Sequence, residues 1–367
     1  MWLKNITLLN FKNYSSAELR FAKTVNAFVG NNGAGKTNLL DAIHYLCLCK
    51  SYFNPIDSQQ IKTNEDLFLI QGDFDRQERN EKITCGLKRN QKKQFKRNKK
   101  EYDKLAHHIG LFPLVMVSPY DVNLIMDGSE ERRKFIDNVI SQTDSSYLDE
   151  LIVYNKHLLN RNALLKQVAV TRKLDVTLLQ ILDEQLIVSG NRIFAKRKQF
   201  LQDFIPLFNQ HYSFITEDAE QVSLNYQSQL NEQKFEDLLA QSIEKDRILE
   251  RTTTGIHKDE LLFAIGDMPL KKFGSQGQQK SFLIALKLAQ YSYLQKLRAF
   301  KPLLLLDDIF DKLDDLRVKK LMEMVSHHDF GQIFITDTGR ERVLSVFNDI
   351  KVDVTLFEVE NGMIKHA

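Results

Sequence analysis

Hydrophobic and polar positions change period twice along this chain. Over residues 1–118, short apolar runs recur at strand length, at 3–8, 25–29, 67–74, 82–87 and 114–117, while 38–52 carries helical spacing after a glycine-rich turn. From 129 to about 208 the apolar residues recur every three or four positions, as in Leu148, Leu151, Ile152, Leu158, Leu159 and Leu165, which predicts long charged helices packed along that stripe. Asn155 and Asn162 interrupt the stripe; polar residues in such a seam cost stability but set the register of a helical hairpin. Strand-length runs return at 260–265, 303–306, 332–335 and 352–358, with a helix before 303 carrying Phe282, Ala285, Leu286, Ala289 and Tyr293 on one face. The pattern predicts an α/β lobe in two pieces, 1–118 and 246–367, with a helical arm inserted at 119–245.

A chain of 367 residues, 43% hydrophobic, is long enough for a substantial core and two or three domains. No apolar run approaches the roughly 20 residues of a membrane span, and residues 1–12 read as a strand and not as a signal peptide, so a cytoplasmic protein without a membrane partner is expected. Cys47, Cys49 and Cys85 show no metal-ligand spacing and read as reduced, buried thiols. Net charge is only +3, so any nucleic-acid surface must be local. One stretch qualifies: residues 88–104 crowd lysines and arginines around Phe95 and Tyr102, and Lys92, Lys93, Lys96, Arg97 and Lys99 read either as DNA-backbone contacts on an exposed hairpin or as a solvated face with no partner.

Two further fragments carry nucleotide chemistry. GNNGAGKT, from Gly30 through Asn31, Asn32, Gly33, Ala34, Gly35 and Lys36 to Thr37, fits the phosphate-loop pattern and sits between a predicted strand and a predicted helix. Its glycines let backbone N–H groups turn toward phosphates, the lysine reaches the terminal phosphates, and the hydroxyl ligates Mg²⁺. LLLLDD at 303–308 is an apolar strand ending in two acids. In an ATP site Asp307 would hold Mg²⁺ and Asp308 would orient or deprotonate the attacking water, with Lys36 assisting catalysis; alone, an acid-tipped strand is equally a sheet edge or a helix cap.

GSQGQQK at 274–280 resembles the LSGGQ signature of ABC-type ATPases, departing from it at the first and third positions. Ser275, Gly277 and Gln278 are retained. In that family the signature of one subunit caps the γ-phosphate held by another, which implies an ATP-dependent homodimer. The three fragments, with LLNFKNY at 8–14, the segment 117–137, YNKHLLNRNALLK at 154–166, TTTGIHKDEL at 252–261 and LDDIFDKLD at 306–314, resemble the RecF family of ABC/SMC-like ATPases along nearly the whole chain. The resemblance implies an ABC-type P-loop head with an inserted helical arm, and ATP and Mg²⁺ as cofactors. It implies binding to duplex and gapped or single-stranded DNA, slow hydrolysis, and gap repair with RecO and RecR that loads RecA. It places Asp314 in a loop facing the second subunit, and it marks Asp308 and Asp337 as departures, from a usual glutamate and a usual switch histidine. Gln71 reads as a nucleotide sensor or a polar turn. His257, Lys258 and Asp259 read as a structural cluster or as part of catalysis. The competing function is an ABC-type ATPase subunit of another DNA-processing or phage-defence assembly, although no nuclease motif stands in the remaining sequence.

Overall fold

Val25–Val29 runs through the middle of the first of two structural units, every residue of it buried. A computed structural model of the chain describes residues 1–217, 220–298, 300–312, 315–326 and 330–366. The first unit comprises 1–121, 214–217 and 280–367, and the second 122–213 and 218–279. Residues 246–279, placed by their sequence pattern with the second half of the lobe, therefore lie in the second unit.

Two six-stranded sheets build the first unit. One is antiparallel, in the order Tyr14–Arg20, Trp2–Phe11, Leu67–Arg76, Arg79–Lys88, Gln94–Arg97, Lys100–Glu101. The other runs Met363–His366, Val354–Glu360, Val25–Val29, Ile333–Asp337, Leu303–Leu306, Leu114–Val117; it is parallel except for its first edge pair. Its inner strands are nearly continuous Val/Ile/Leu/Phe, as expected of parallel strands covered on both faces. Phe21, Phe28, Phe334 and Phe357 cluster on it, with Phe21 and Phe334 edge to face at 4.9 Å. The helix Lys36–Leu48 is buried at almost every position and shares one apolar core with strands of both sheets. It stops earlier than its spacing predicts. Cys49 adopts a left-handed conformation and donates to Tyr45 O at 2.9 Å, while the Asp41 carboxylate accepts from Ser51 Oγ and Tyr52 N, each at 2.7 Å.

The second unit holds the helices Ser129–Ser141, Ser145–Thr171 and Phe235–Leu249, most of the 41-residue helix Val176–Thr216, and a small sheet of Met268–Pro269, Glu260–Ile265 and Val222–Gln227. The buried seam of Ser145–Thr171 differs from the leucine stripe: Ile152 is 51% exposed and Leu159 70%, whereas Tyr147, Tyr154, Arg161 and Val168, each seven apart, are buried. Leu164 and Leu165 are buried as well, so the leucine stripe holds at that end of the helix and fails at 152 and 159, where hydrogen-bonded tyrosines and an arginine fill the seam instead. Arg161 donates to Asp183 and Asp246, both at 2.6 Å, and Asn162 Oδ1 accepts from Thr252 N at 2.7 Å. Asn155 is exposed. No helix among the described residues is long and apolar enough to cross a membrane.

Candidate nucleotide site

The phosphate-loop segment leaves the C-terminal end of Val25–Val29 and enters the helix Lys36–Leu48 through three glycines with positive φ, Gly30, Gly33 and Gly35. Gly30 is needed twice over: at φ +151° a Cβ would also stand 2.2 Å from Val359 O. A Cβ on Gly35 would meet the Asn13 amide at 2.4 Å. Asn13 Nδ2 donates to Ala34 O at 3.0 Å, Tyr14 Oη to Gly35 O at 2.9 Å, and Asn38 Nδ2 to Asn13 Oδ1 at 2.7 Å. The Asn-Tyr pair in LLNFKNY, noticed in the sequence only as part of the resemblance, thus clamps the loop from the first hairpin. Nothing in the local sequence signals this, because the partners are 21 to 25 residues apart.

Lys36 is buried, and its ammonium donates to Gly30 O at 2.7 Å and Asn31 O at 3.0 Å. One strand lies between Val25–Val29 and Leu303–Leu306 in the sheet, and that spacing brings Asp307 beneath the loop. Thr37 Oγ1 donates to Asp307 Oδ1 at 2.9 Å across 270 residues of sequence. Burial raises the Asp307 carboxyl above the usual carboxylate range, opposed by hydrogen bonds from Thr336 and Thr37. A hydroxyl and a carboxylate oxygen set side by side, next to a lysine and a glycine-turned backbone, match what Mg²⁺ and a polyphosphate need: hard oxygen ligands, a positive charge and inward-facing N–H groups. Asp308 follows in a left-handed conformation, φ +47°. Asp337 is committed elsewhere, accepting from Gly339 N at 2.6 Å and from Arg342 Nη2 at 2.8 Å through both carboxylate oxygens. Gln71 is neither at a strand end nor in a turn: it pairs with Thr7 and Thr84 in mid-sheet.

The signature segment lies in the second unit through Gln279. Ser275 Oγ accepts from Gln278 N at 3.2 Å while Gln278 Oε1 accepts from Ser275 N at 2.7 Å, a reciprocal cap at the start of the helix Gln276–Leu297. The first-position departure has a steric reason, since a Cβ on Gly274 would stand 2.8 Å from Leu270 O. Ser275 is exposed and Gly277 half-buried, so the helix N-terminus stays accessible. Asp314 lies outside the described residues.

The basic stretch forms the hairpin Gln94–Arg97/Lys100–Glu101, turned by Asn98 and Lys99 at positive φ. Its five candidate cations divide. Lys92 and Lys99 are exposed and Lys96 half-buried. Lys93 is only 12% exposed, 2.7 Å from the Asp57 carboxylate and donating to Cys49 O, and Arg97 makes a bidentate pair with Glu81 at 2.5 and 2.8 Å. Phe95 is buried against Tyr102 and His108, so it anchors the hairpin and does not face a ligand.

This chain is 52% identical over 365 residues to the DNA replication and repair protein RecF of Parabacteroides distasonis, covering 100% of the chain and 99% of that relative. The RecF/RecN/SMC N terminal domain family matches residues 2–365. The chain belongs to the RecF family. A solved structure of the recombination mediator protein RecF-ATP in the RecFOR pathway superposes with a TM-score of 0.90 at 30% identity, covering 100% of this chain and 97% of the other. A Smc head domain from Pyrococcus furiosus shares the fold at a TM-score of 0.58 and 16% identity, over 100% and 96% of the two chains. Two α/β sheets around a phosphate-loop helix, with a long-helix unit, are accordingly the RecF and SMC-head architecture, the fold class expected from the motif order.

Proposed function

We propose that this RecF-family chain is an ATP-gated DNA-binding protein of recombinational gap repair in the cytoplasm, in which ATP binding drives homodimerisation and slow hydrolysis releases the dimer. The observation that carries the proposal is the approach of Thr37 Oγ1 to Asp307 Oδ1 beside the Lys36 ammonium. The loop from Gly30 to Gly35, with Asn31, Asn32 and Ala34 between its glycines, offers its backbone to the β and γ phosphates, whose charge Lys36 neutralises. Thr37 and Asp307 would hold Mg²⁺, which supplies charge stabilisation of the transferring phosphoryl group when bound. Asp308 orients the attacking water. Ser275, Gly277 and Gln278 cap the γ-phosphate of a second subunit from their helix N-terminus. Duplex and gapped DNA, RecO and RecR are the partners the family points to, with RecA loading as the outcome.

A mixing experiment tests the trans-capping element. Ser275→Arg places bulk and charge at the cap, at the cost of about 1 kcal/mol of helix capping, and should bind ATP as a monomer without dimerising. Lys36→Ala should bind ATP at least about 100-fold more weakly and remain monomeric. Mixed, the two should form a heterodimer with a single competent composite site, seen by sedimentation with ATP. If Ser275→Arg alone dimerises with ATP, capping in trans is wrong.

A further inference from the structure

Thr336 occupies the end of the strand Ile333–Asp337, between the phosphate-loop strand and the strand that carries the two acids. It pairs with Phe28, and the preceding residue, Ile335, pairs with Leu306. Its side chain is wholly buried. The parallel register to Leu303–Leu306 ends at Leu306, so the N–H of Asp308 has left the backbone ladder. Thr336 takes it over: Asp308 N donates to Thr336 Oγ1 at 2.8 Å, and the same hydroxyl donates to Asp307 Oδ1 at 2.9 Å. Asp308 Oδ1 lies farther off, at 3.5 Å. A hydroxyl has one proton to give, and the shorter approach assigns it to Asp307.

One side chain therefore fixes two different things. It holds the rotamer of Asp307, and it ties down the backbone of Asp308 in the left-handed conformation that a non-glycine residue rarely keeps. Asp337 does not share the task, since its carboxylate is taken by Arg342 and Gly339 N. Thr37 also donates to Asp307 Oδ1. A hydroxyl can donate its proton and still offer a lone pair, so Thr37 would keep this bond while holding Mg²⁺; Thr336 is the second and fully buried donor to the same carboxylate oxygen.

We infer that Thr336 is a positioning residue of the hydrolytic site, acting through Asp307 and the Asp308 backbone on metal affinity and turnover and not on nucleotide binding. This rests on the proposed roles of the two acids. Thr336→Val keeps the branched shape and removes the hydroxyl, whereas Thr336→Ser keeps the hydroxyl. In nucleotide-free full-length protein, hydrogen exchange of the Asp308 amide should accelerate at least about tenfold in the valine variant and stay within about threefold of wild type in the serine variant, because only the former lacks the acceptor. With ATP, the valine variant should lose about ten- to a hundredfold in kcat and need at least about threefold more Mg²⁺ for half-maximal rate, with ATP affinity within about threefold; serine should restore all of these. If the valine variant does not fold, Thr336→Cys, a much weaker hydrogen-bond partner, takes its place with the same expectations. Wild-type kcat and Mg²⁺ dependence in the hydroxyl-free variant, unchanged exchange at Asp308, or a serine variant as damaged as valine would each overturn the inference while leaving the nucleotide site intact. Wild-type turnover that survives Lys36→Ala would instead bring down the reading of the site, and this inference with it.

Discussion

Arg197 and Asp259 form an ion pair almost wholly shut off from water, with Arg197 Nη1 2.8 Å from Asp259 Oδ2. The same guanidinium holds the Asp137 carboxylate at 2.9 and 3.0 Å and donates to Ile256 O at 2.8 Å, while Tyr226 Oη donates to Asp259 at 2.5 Å. Asp259 belongs to the HKD triplet, in which His257 and Asp259 are held in a hydrogen-bonded network while Lys258 is exposed. His257 bridges Tyr154 Oη and Thr252 O, and Arg133 donates to Asp259 O at 2.7 Å. Burial raises the Asp259 carboxyl above its usual range, against the pull of Arg197.

Arg197→Met should destabilise the protein by about 3–5 kcal/mol, because it strands two carboxylates that lose their charge partner. Asp259→Asn should cost less, and the double substitution less than the sum of the two. Urea denaturation of the three variants checks this; strict additivity would mean that the pair is not coupled.

Asp308→Asn should retain ATP and Mg²⁺ binding and lose turnover by at least about 100-fold, since asparagine tolerates the left-handed backbone but orients water poorly. The ATP-bound dimer should then accumulate. Sedimentation showing only monomers with ATP would mean that Asp308 is needed for binding and that the division of labour between the two acids is wrong.

On the hairpin, Lys92→Glu, Lys96→Glu and Lys99→Glu combined should weaken duplex binding and lower the slope of log affinity against log salt by about 0.9 for each phosphate the hairpin no longer neutralises. Lys93 and Arg97 are left in place because their ion pairs with Asp57 and Glu81 hold the hairpin together. ATP turnover without DNA should not change. An unchanged salt slope would assign these lysines to a solvated face.

Acid should unfold the protein well before its carboxylates titrate fully. Burial lowers His44, His108 and His257 each to about 4. Their folded values lie below the unfolded value near 6.5, so between the two the unfolded chain binds more protons. Stability from these groups is present above pH about 6.5 and is lost as pH falls toward 4, at up to ~4 kcal/mol per pH unit if all three contribute. Denaturation midpoints measured across that window, with His257→Gln removing about one proton from the slope, check the assignment. A flat profile would show that the histidines are solvated.

Much of the nucleotide site was legible in the sequence because its chemistry is local. A phosphate loop must be glycine-rich to turn its N–H groups inward, and a buried parallel strand must be apolar up to the residue that leaves the sheet, so GNNGAGKT and LLLLDD announce themselves. The strands at 25–29, 114–117, 260–265 and 303–306 were legible for the same reason. Contacts set by strand order were not. Thr336 lies 29 residues from Asp307 and Asn13 lies 21 from Ala34, and no spacing rule connects a hydroxyl on one strand to a carboxylate on its neighbour. The helical unit misled in the opposite way, with Ile152 and Leu159 facing solvent while Tyr147, Tyr154 and Arg161 fill the seam. Periodicity records which residues are apolar, but a buried polar seam is stable only when its donors find acceptors, and those partners, Asp183, Asp246 and Thr252 among them, are brought together only by the folded chain.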